Sequence, residues 1–371
     1  MKIGIITYHS SHNYGSMLQA YALSYVLKSK GCDVEIIDYR NNRQLRLYRH
    51  PLMPVFYKKR NYIKYFASFC NPVWLYHECR KWSLYEKFIK DYLNITKKRY
   101  DTWEGIEQDL ASLQYDVLIA GGDQIWNMKG LHFDKSYYLP CDSCCKKISY
   151  AVSFGGEFLK RIKPEESDFI KKHLSSFSAI AVREETMKDY LEQLLHKKVF
   201  LTIDPTLLLK PVDYQPLINT PLVTGDYIYY YSPFPRPNAE RLAILYGNYL
   251  GMDVVTTSPH IYRNNNMRVV HESGPKEFLN LLCNAKMVIG RSFHLIAFSL
   301  LFHRDFIVVD GAKDDRMRNI LGKLELIERG MVDCNNFREV QLSTIDYDKV
   351  DAIISKQRDS SMKYLEDSLG I

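Results

Sequence analysis

The sequence has no hydrophobic run long enough to cross a bilayer. Its longest apolar-rich stretch, Phe293 to Phe302, falls far short of the ~20 residues a membrane helix needs. The N-terminus, Met-Lys-Ile-Gly-Ile-Ile-Thr, turns polar too early for a secretory signal. A cytoplasmic protein is the expectation. Cysteine offers no metal framework. Cys32, Cys70, Cys79, Cys283 and Cys334 are scattered, and the Cys141-x-x-Cys144-Cys145 group lacks the second pair that four zinc ligands require. Reduced loop thiols and no metal are therefore expected. Neither Gly-x-Gly-x-x-Gly nor a Walker lysine follows the first strand, so a dinucleotide or ATP site is unsupported. Low-complexity sequence is absent too: the 371 residues are 46% apolar and 25% charged, with 18 Gly and 14 Pro, a globular composition. That length fits two domains of roughly 100–200 residues each. Tyrosine is plentiful, with 28 copies, and its apolar ring and polar tip suit wet clefts as well as cores.

Acidic residues are scarce in one region. Residues 41–100 hold 14 Lys/Arg against Glu78, Glu86 and Asp91, so this segment is +11 and the rest is −4 in a chain of net charge +7. Aromatic residues interleave with the bases, among them Tyr48, Tyr57, Tyr62, Trp74, Tyr76 and Trp82. Two readings stay open. The segment reads either as an anion-seeking surface, for a membrane, a lipid-linked pyrophosphate or a nucleic acid, or as a solvated helical insertion whose aromatics pack on the parent domain. The confinement of the charge argues against a protein that coats nucleic acid, and no nucleic-acid partner is expected.

Short apolar strands alternate with helical patterns along the chain. Lys2–Tyr8 reads as a strand, and Met17, Leu18, Tyr21, Ala22, Tyr25 and Val26 recur at helical spacing before Gly31. Val34–Ile37 is the second strand, completing the opening of a right-handed parallel unit. Further strands are expected at Val117–Ala120, Lys147–Ser153, Ala179–Val182 and Val199–Ile203, as continuous apolar runs covered on both faces. Pro211, Pro216, Pro221 and Gly225 break the pattern. The alternation then resumes with strands at Tyr227–Tyr231, Asp253–Thr257, Met287–Ile289 and Phe306–Val309. The expected architecture is α/β: a Rossmann-like domain over 1–210 with the basic insertion 41–100, a second over 211–347, and a closing helix over 348–371. Two such domains face a central cleft at the carboxyl ends of their strands.

Four segments at strand ends carry the chemistry. The first is His9-Ser-Ser-His-Asn13-Tyr14-Gly15-Ser16, with Gln19 one turn on. It reads as a backbone approach to a ligand or as a helix cap. The second is Ala120-Gly-Gly-Asp123-Gln124-Ile-Trp126-Asn127, whose acid, amides and indole form a kit for gripping sugar hydroxyls and stacking on a sugar face. In the third, Arg183 follows a strand and offers its planar fork to a carboxylate or phosphate, or to Glu184 or Glu185. Asp204-Pro205-Thr206, after the next strand, reads as a turn cap. The fourth is Gly290-Arg291-Ser292-Phe293-His294, where a strand gives way to a helix. The helix N-terminus favours an anion. Such an anion would let His294 carry a proton and serve as general acid.

In this order these segments, with Ser149-Tyr150-Ala151, Val182-Arg183-Glu184-Glu185, Asp204-Pro205-Thr206-Leu-Leu-Leu and Ser292-Phe293-His294, resemble the polysaccharide pyruvyl transferase family from residue 1 to about 330. The resemblance implies a GT-B-like pair of domains. It also implies transfer of the enolpyruvyl group of phosphoenolpyruvate (PEP) to a sugar of a surface polysaccharide or its lipid-linked precursor, as a cyclic ketal. It assigns His294 as the acid and Arg183 and Arg291 as holders of PEP. Asn13, Tyr14, Gly15, Gln19, Asp123, Gln124, Trp126, Asn127 and Ser292 fall in its substrate-binding segments. It requires no cofactor beyond the donor and no metal. A peripheral contact with an anionic membrane through 41–100 would bring the enzyme to a lipid-linked acceptor. Four positions depart from the family pattern: Gly290-Arg291 stands where Thr-Asp is usual, Leu295 where Gly follows the histidine, and Gly122 where Ser is usual. The competing classes are a GT-B-like glycosyltransferase using a nucleotide-sugar and a non-catalytic glycan- or lipid-binding module.

Overall fold

A computed structural model describes the chain except residues 54–70, 141–144, 156–158, 160–161, 219, 262–263, 265 and 338–341. The middle of the basic segment, with Cys70, Cys141 and Cys144, lies outside the described residues.

The N-terminal half is a parallel sheet. Strands β1 (Lys2–Ile6), β2 (Asp33–Ile36), β3 (Val117–Gly121) and β4 (Lys146–Tyr150) run in the order β2-β1-β3-β4. Parallel bridges Ile148–Ala179 and Val152–Val182 carry the sheet on to β5 (Ile180–Val182) and β6 (Val199–Leu201). Helix α1 (Tyr14–Ser29) crosses from β1 to β2, capped by Asn13, whose Oδ1 accepts from the Gly15 and Ser16 amides at 3.1 and 3.3 Å. Strand β1 therefore meets β2 on one side and β3 on the other. This reversal of strand order opens a crevice at their carboxyl ends.

The C-terminal half repeats the plan. Strands β7 (Tyr227–Tyr231), β8 (Asp253–Thr256), β9 (Arg268–Val269), β10 (Met287–Gly290) and β11 (Asp305–Val308) form a parallel sheet in the order β11-β10-β7-β8-β9. Its reversal falls between β7 and β10. Both halves bury continuous apolar strands, including all five residues of β3 and of β7, because helices cover both sheet faces.

Three helices tie the halves together. Within the basic segment come α2 (Asn42–Leu47) and α3 (Pro72–Tyr92). Helix α3 buries Tyr85, Phe88 and Ile89 on the parent fold, while its Tyr76 is exposed. It also reaches the second half: Arg80 and His77 pair with Glu272 at 3.2 and 3.3 Å, and Tyr92 accepts from Lys276 at 2.9 Å. Tyr14 of α1 lies between Tyr85 and Phe278 and bonds to Ser273 at 2.7 Å. The sequence further forms α4 (Trp103–Leu113), α5 (Pro164–Leu174), α6 (Glu185–Leu195), α7 (Pro237–Leu250), α8 (Pro275–Asn284), α9 (Phe293–Leu301), α10 (Asp315–Lys323) and α11 (Tyr347–Leu369). Helix α11 leaves the second half and returns to the first. There Tyr364 donates to Ser149 O at 2.7 Å, Ser361 accepts from the Ile203 amide at 3.1 Å, and Arg358 donates to Leu207 O at 2.8 Å. Among the described residues no helix is long and apolar enough to cross a membrane.

Tyr364 is buried and its hydroxyl satisfies a buried strand carbonyl. Tyr364→Phe should lower unfolding free energy by about 1–3 kcal/mol, because that carbonyl loses its partner. Denaturant unfolding with unchanged m-value checks this.

Candidate functional site

The two strand-order reversals face each other, and the loops leaving β1, β3, β7 and β10 enclose a cleft of about 300 Å³. The first half supplies Tyr8, Asn13, Ser16, Asp123, Gln124 and His132 to its walls. From the second come Arg236, Arg291, Ser292, His294 and Arg316. Three guanidinium groups and two imidazoles thus share the cleft with the carboxylates of Asp123 and Asp314.

His294 begins α9, after the extended residue Ser292, which contributes no capping hydrogen bond. The first-turn amides have no side-chain cap, which favours an anion there. The imidazole seats on the opposite half. A Cβ on Gly15 would lie 2.0 Å from His294 Nδ1, so only glycine admits the ring. Behind the ring, His294 Nε2 faces Asp204 Oδ2 at 3.6 Å, and the same oxygen pairs with Arg183 Nη1 at 2.6 Å. Asp204 Oδ1 accepts from the Thr206 amide and hydroxyl at 2.9 and 2.6 Å. Burial acts to raise the pKa of Asp204, but Arg183, His294 and Thr206 outweigh it and hold the group ionised well below the usual carboxylate range.

Asp123 stands opposite. Its backbone is left-handed, φ +53°, next to Gly122 at φ +65°, a conformation costly for a non-glycine residue and characteristic of functional sites. Its Oδ1 accepts from the Gln124 amide at 2.8 Å, and its Oδ2 accepts from the Ser16 hydroxyl. The Gln124 side chain lies against Arg316. Arg291 is braced by Asp310 at 3.2 Å and Arg316 by Asp314 at 3.2 Å. The loop carrying Asn13 is fixed from below by a buried charge chain. His9 meets Asp38 at 2.9 Å, Asp38 meets Arg40 at 2.6 Å, Arg40 meets Glu86 of α3 at 3.2 Å, and Glu86 meets His12 at 3.4 Å. Burial raises the Asp38 pKa, but His9 and Arg40 bring it down to about 2.

Several residues singled out from sequence stand elsewhere. Trp126 is fully buried, stacked on Tyr138 at 5.2 Å and donating to Tyr137 O at 2.9 Å; it is a core anchor and cannot face a sugar. Gln19 is also fully buried and braces the β3 turn, donating to Thr7 Oγ1 and Ser16 O, both at 2.8 Å. Tyr14 is a link between halves. Asn127 donates to Gln124 Oε1 at 2.9 Å and accepts from the Lys129 amide at 3.1 Å, and it is not among the residues lining the cleft. Arg183 does not line the cleft: it sits behind His294, with Nε on Ala151 O at 3.2 Å and its head 5.1 Å from the Phe293 ring. It pairs with Asp204 rather than Glu184 or Glu185. Leu295 is buried and stands outside the cleft lining, while Gly290 passes so close to Tyr231 O that a Cβ would lie 1.8 Å away.

Sequence reading missed four residues. Asp204 follows a strand as Asp123 does, but its Asp-Pro-Thr turn made capping a sufficient account, and it does both. Arg236, between two prolines, carried no signal, and Arg316 stands beside Met317 in a run whose Met317, Ile320, Leu321 and Leu324 mark a helix but not a function. His132 carried no signal either. Among the described residues no group of three or more His, Cys, Asp or Glu is placed to hold a metal ion.

The fold is that of the GT-B-like class, two Rossmann-like parallel-sheet domains facing a cleft. A protein of Listeria monocytogenes assigned as a UDP-N-acetylglucosamine 2-epimerase superposes with TM-score 0.55 at 8% identity, over 99% of this chain and 90% of that one. The UDP-GlcNAc 2-epimerase of Neisseria meningitidis, bound to UDP-GlcNAc, superposes with TM-score 0.51 at 10% identity, over 99% of this chain and 100% of that one. These likenesses show the fold. No curated protein matches the chain. The profile of the family Polysaccharide pyruvyl transferase matches residues 13–312, and the chain belongs to that family.

Asp204 and Arg183 are both buried. Asp204→Asn should cost about 3–5 kcal/mol by leaving Arg183 an uncompensated charge, whereas replacing both by apolar residues should recover most of it. Thermal unfolding of the single and double variants checks this. The sign with pH follows from the lowered pKa. The pairing contributes in full above about pH 4 and is lost only as strong acid protonates Asp204.

Proposed function

We propose that the chain transfers the enolpyruvyl group of PEP to a sugar of a surface polysaccharide or its lipid-linked precursor, forming a cyclic ketal and releasing phosphate. The convergence of Arg236, Arg291 and Arg316 with His294 at an uncapped helix N-terminus carries this reading. PEP presents a phosphate and a carboxylate on a three-carbon body. Planar guanidinium forks and free backbone amides suit both anions, and a cleft of about 300 Å³ suits a donor far smaller than a nucleotide-sugar.

The chemistry then divides between the halves. The arginines draw charge off the phosphate and carboxylate. His294 gives a proton to the methylene carbon as an acceptor hydroxyl oxygen bonds to the adjacent carbon, which turns the methylene into a methyl. Asp123 accepts the hydroxyl proton. A second hydroxyl then displaces phosphate from the same carbon, closing the ketal. Its proton leaves with the phosphate, so atoms and charge balance. Asp204 compensates the imidazolium, and Arg183 keeps Asp204 ionised. Asn13, Ser16 and His132 provide polar groups for the acceptor.

Calorimetric titration with PEP, with UDP and GDP as comparators, tests the donor. Saturable PEP binding is expected. Arg291→Ala and Arg316→Ala should each weaken it by about tenfold or more, the scale of a lost charged hydrogen bond. His294→Ala should keep binding while phosphate release falls by about 10²–10⁴-fold. Binding of a nucleoside diphosphate with none of PEP would assign the cleft to a glycosyltransferase.

The acceptor reading extends to the basic segment, +11 over residues 41–100. On its described flanks Leu52, Met53, Val73 and Tyr76 are exposed. Contact with an anionic membrane would bring a lipid-linked sugar to the cleft. Partitioning onto phosphatidylglycerol vesicles, read by co-sedimentation, should fall by about 10²-fold when Lys58, Lys59 and Arg60 are all neutralised, since each basic residue contributes about 1 kcal/mol; unchanged binding would refute the contact.

A further inference from the structure

A second and larger cavity, of about 500 Å³, lies behind Phe293. The end of β6, helix α10 and the closing helix α11 enclose it. Its walls are apolar, with Ile203, Leu207, Leu324 and Ile354 all buried. Arg183, Thr202 and Asp204 lie at its inner end, and exposed Lys323 and Lys356, from α10 and α11, stand at its mouth.

It is open to solvent on one side, a deep groove between two helices rather than a gap in the packed core. Apolar walls with a few polar groups are the usual character of a ligand pocket. The cations that remain for a ligand stand at the mouth. Deeper in, Arg183 is paired with Asp204 and Arg316 with Asp314, whereas Lys323 and Lys356 are exposed on the two helices that flank the opening. Phe293 and Arg316 border both this cavity and the cleft.

We propose that the cavity is a second ligand site for an amphiphilic anion: an apolar body that fills the space between α10 and α11, with one phosphate or carboxylate held by the lysines of the mouth. Because Phe293 and Arg316 are shared, its occupant changes the walls of the cleft. The inference needs no assumption about the donor and stands apart from the PEP reading.

The test is a fluorescence titration of the full chain with 8-anilinonaphthalene-1-sulfonate, an amphiphilic anion, followed by competition. Saturable binding at one site per chain is expected, with displacement by decyl phosphate or decanoate. Whichever of these two competes better identifies the head group. Decanol and inorganic phosphate, each half of the ligand, should displace the dye at least about tenfold less well, the factor that 1.4 kcal/mol of head-group interaction corresponds to. Lys356→Glu and Lys323→Glu, both exposed and therefore harmless to folding, should each weaken binding by about threefold to fivefold, the upper range for surface charges. Ile353→Trp, which fills the mouth from α11, should abolish it. Absence of saturable binding, equal binding by wild type and all three variants, or displacement by decanol as strong as by decyl phosphate would each overturn the proposal.

Discussion

The carboxylate of Asp204 is where the two halves of the chain meet electrostatically. It leaves the first half at the end of β6, is fully buried, and faces Arg183 of its own half and His294 of the other. A buried ion alone costs several kcal/mol, and none of these groups is stable there without the others. Its two oxygens divide the contacts: Oδ1 takes the Thr206 amide and hydroxyl, and Oδ2 takes Arg183 and faces His294, so one buried carboxylate anchors residues of both halves.

The same logic explains why the insertion helix matters. Helix α3 is not a decoration on the first half. It supplies Glu86 to the charge chain under the His9–Asn13 loop and Tyr85 to the stack that continues through Tyr14 to Phe278. The loop that admits His294 against Gly15 is held by residues drawn from both halves and from the insertion, so its backbone is over-determined. Such over-determination is what a strained neighbour such as Asp123 requires.

The sheets were legible because parallel strands buried on both faces read as apolar runs, and each strand end carried a glycine or polar cluster. The four loaded segments were found for that reason, and three of them do border the cleft. Side-chain direction was not legible. Trp126 follows the same turn as Asp123 and Gln124, yet a bend of three residues sends its indole into the core. Gln19 lies one turn beyond Asn13 and points under the sheet. Arg183 looked like a ligand-binding fork because its true partner, Asp204, lies 21 residues on and meets it only through the pairing of β5 with β6. Arg236 sits between two prolines, and Arg316 lies on the polar face of a helix, where an arginine is ordinary. Their role arises only when two strand-order reversals are brought face to face.

Two straps, α3 and α11, cross the junction between the halves on different parts of the molecule. A rigid opening rotation would have to break the Tyr14–Ser273 bond, the Glu272 pairs and the Arg358 carbonyl contacts together. Traffic into the cleft therefore falls to its rim, where Leu131 of the first half and Phe234 of the second are exposed. On the proposed transferase reading, an acceptor at the end of a long glycan would pass only its terminal sugar through the rim and leave the rest of the polymer in solvent.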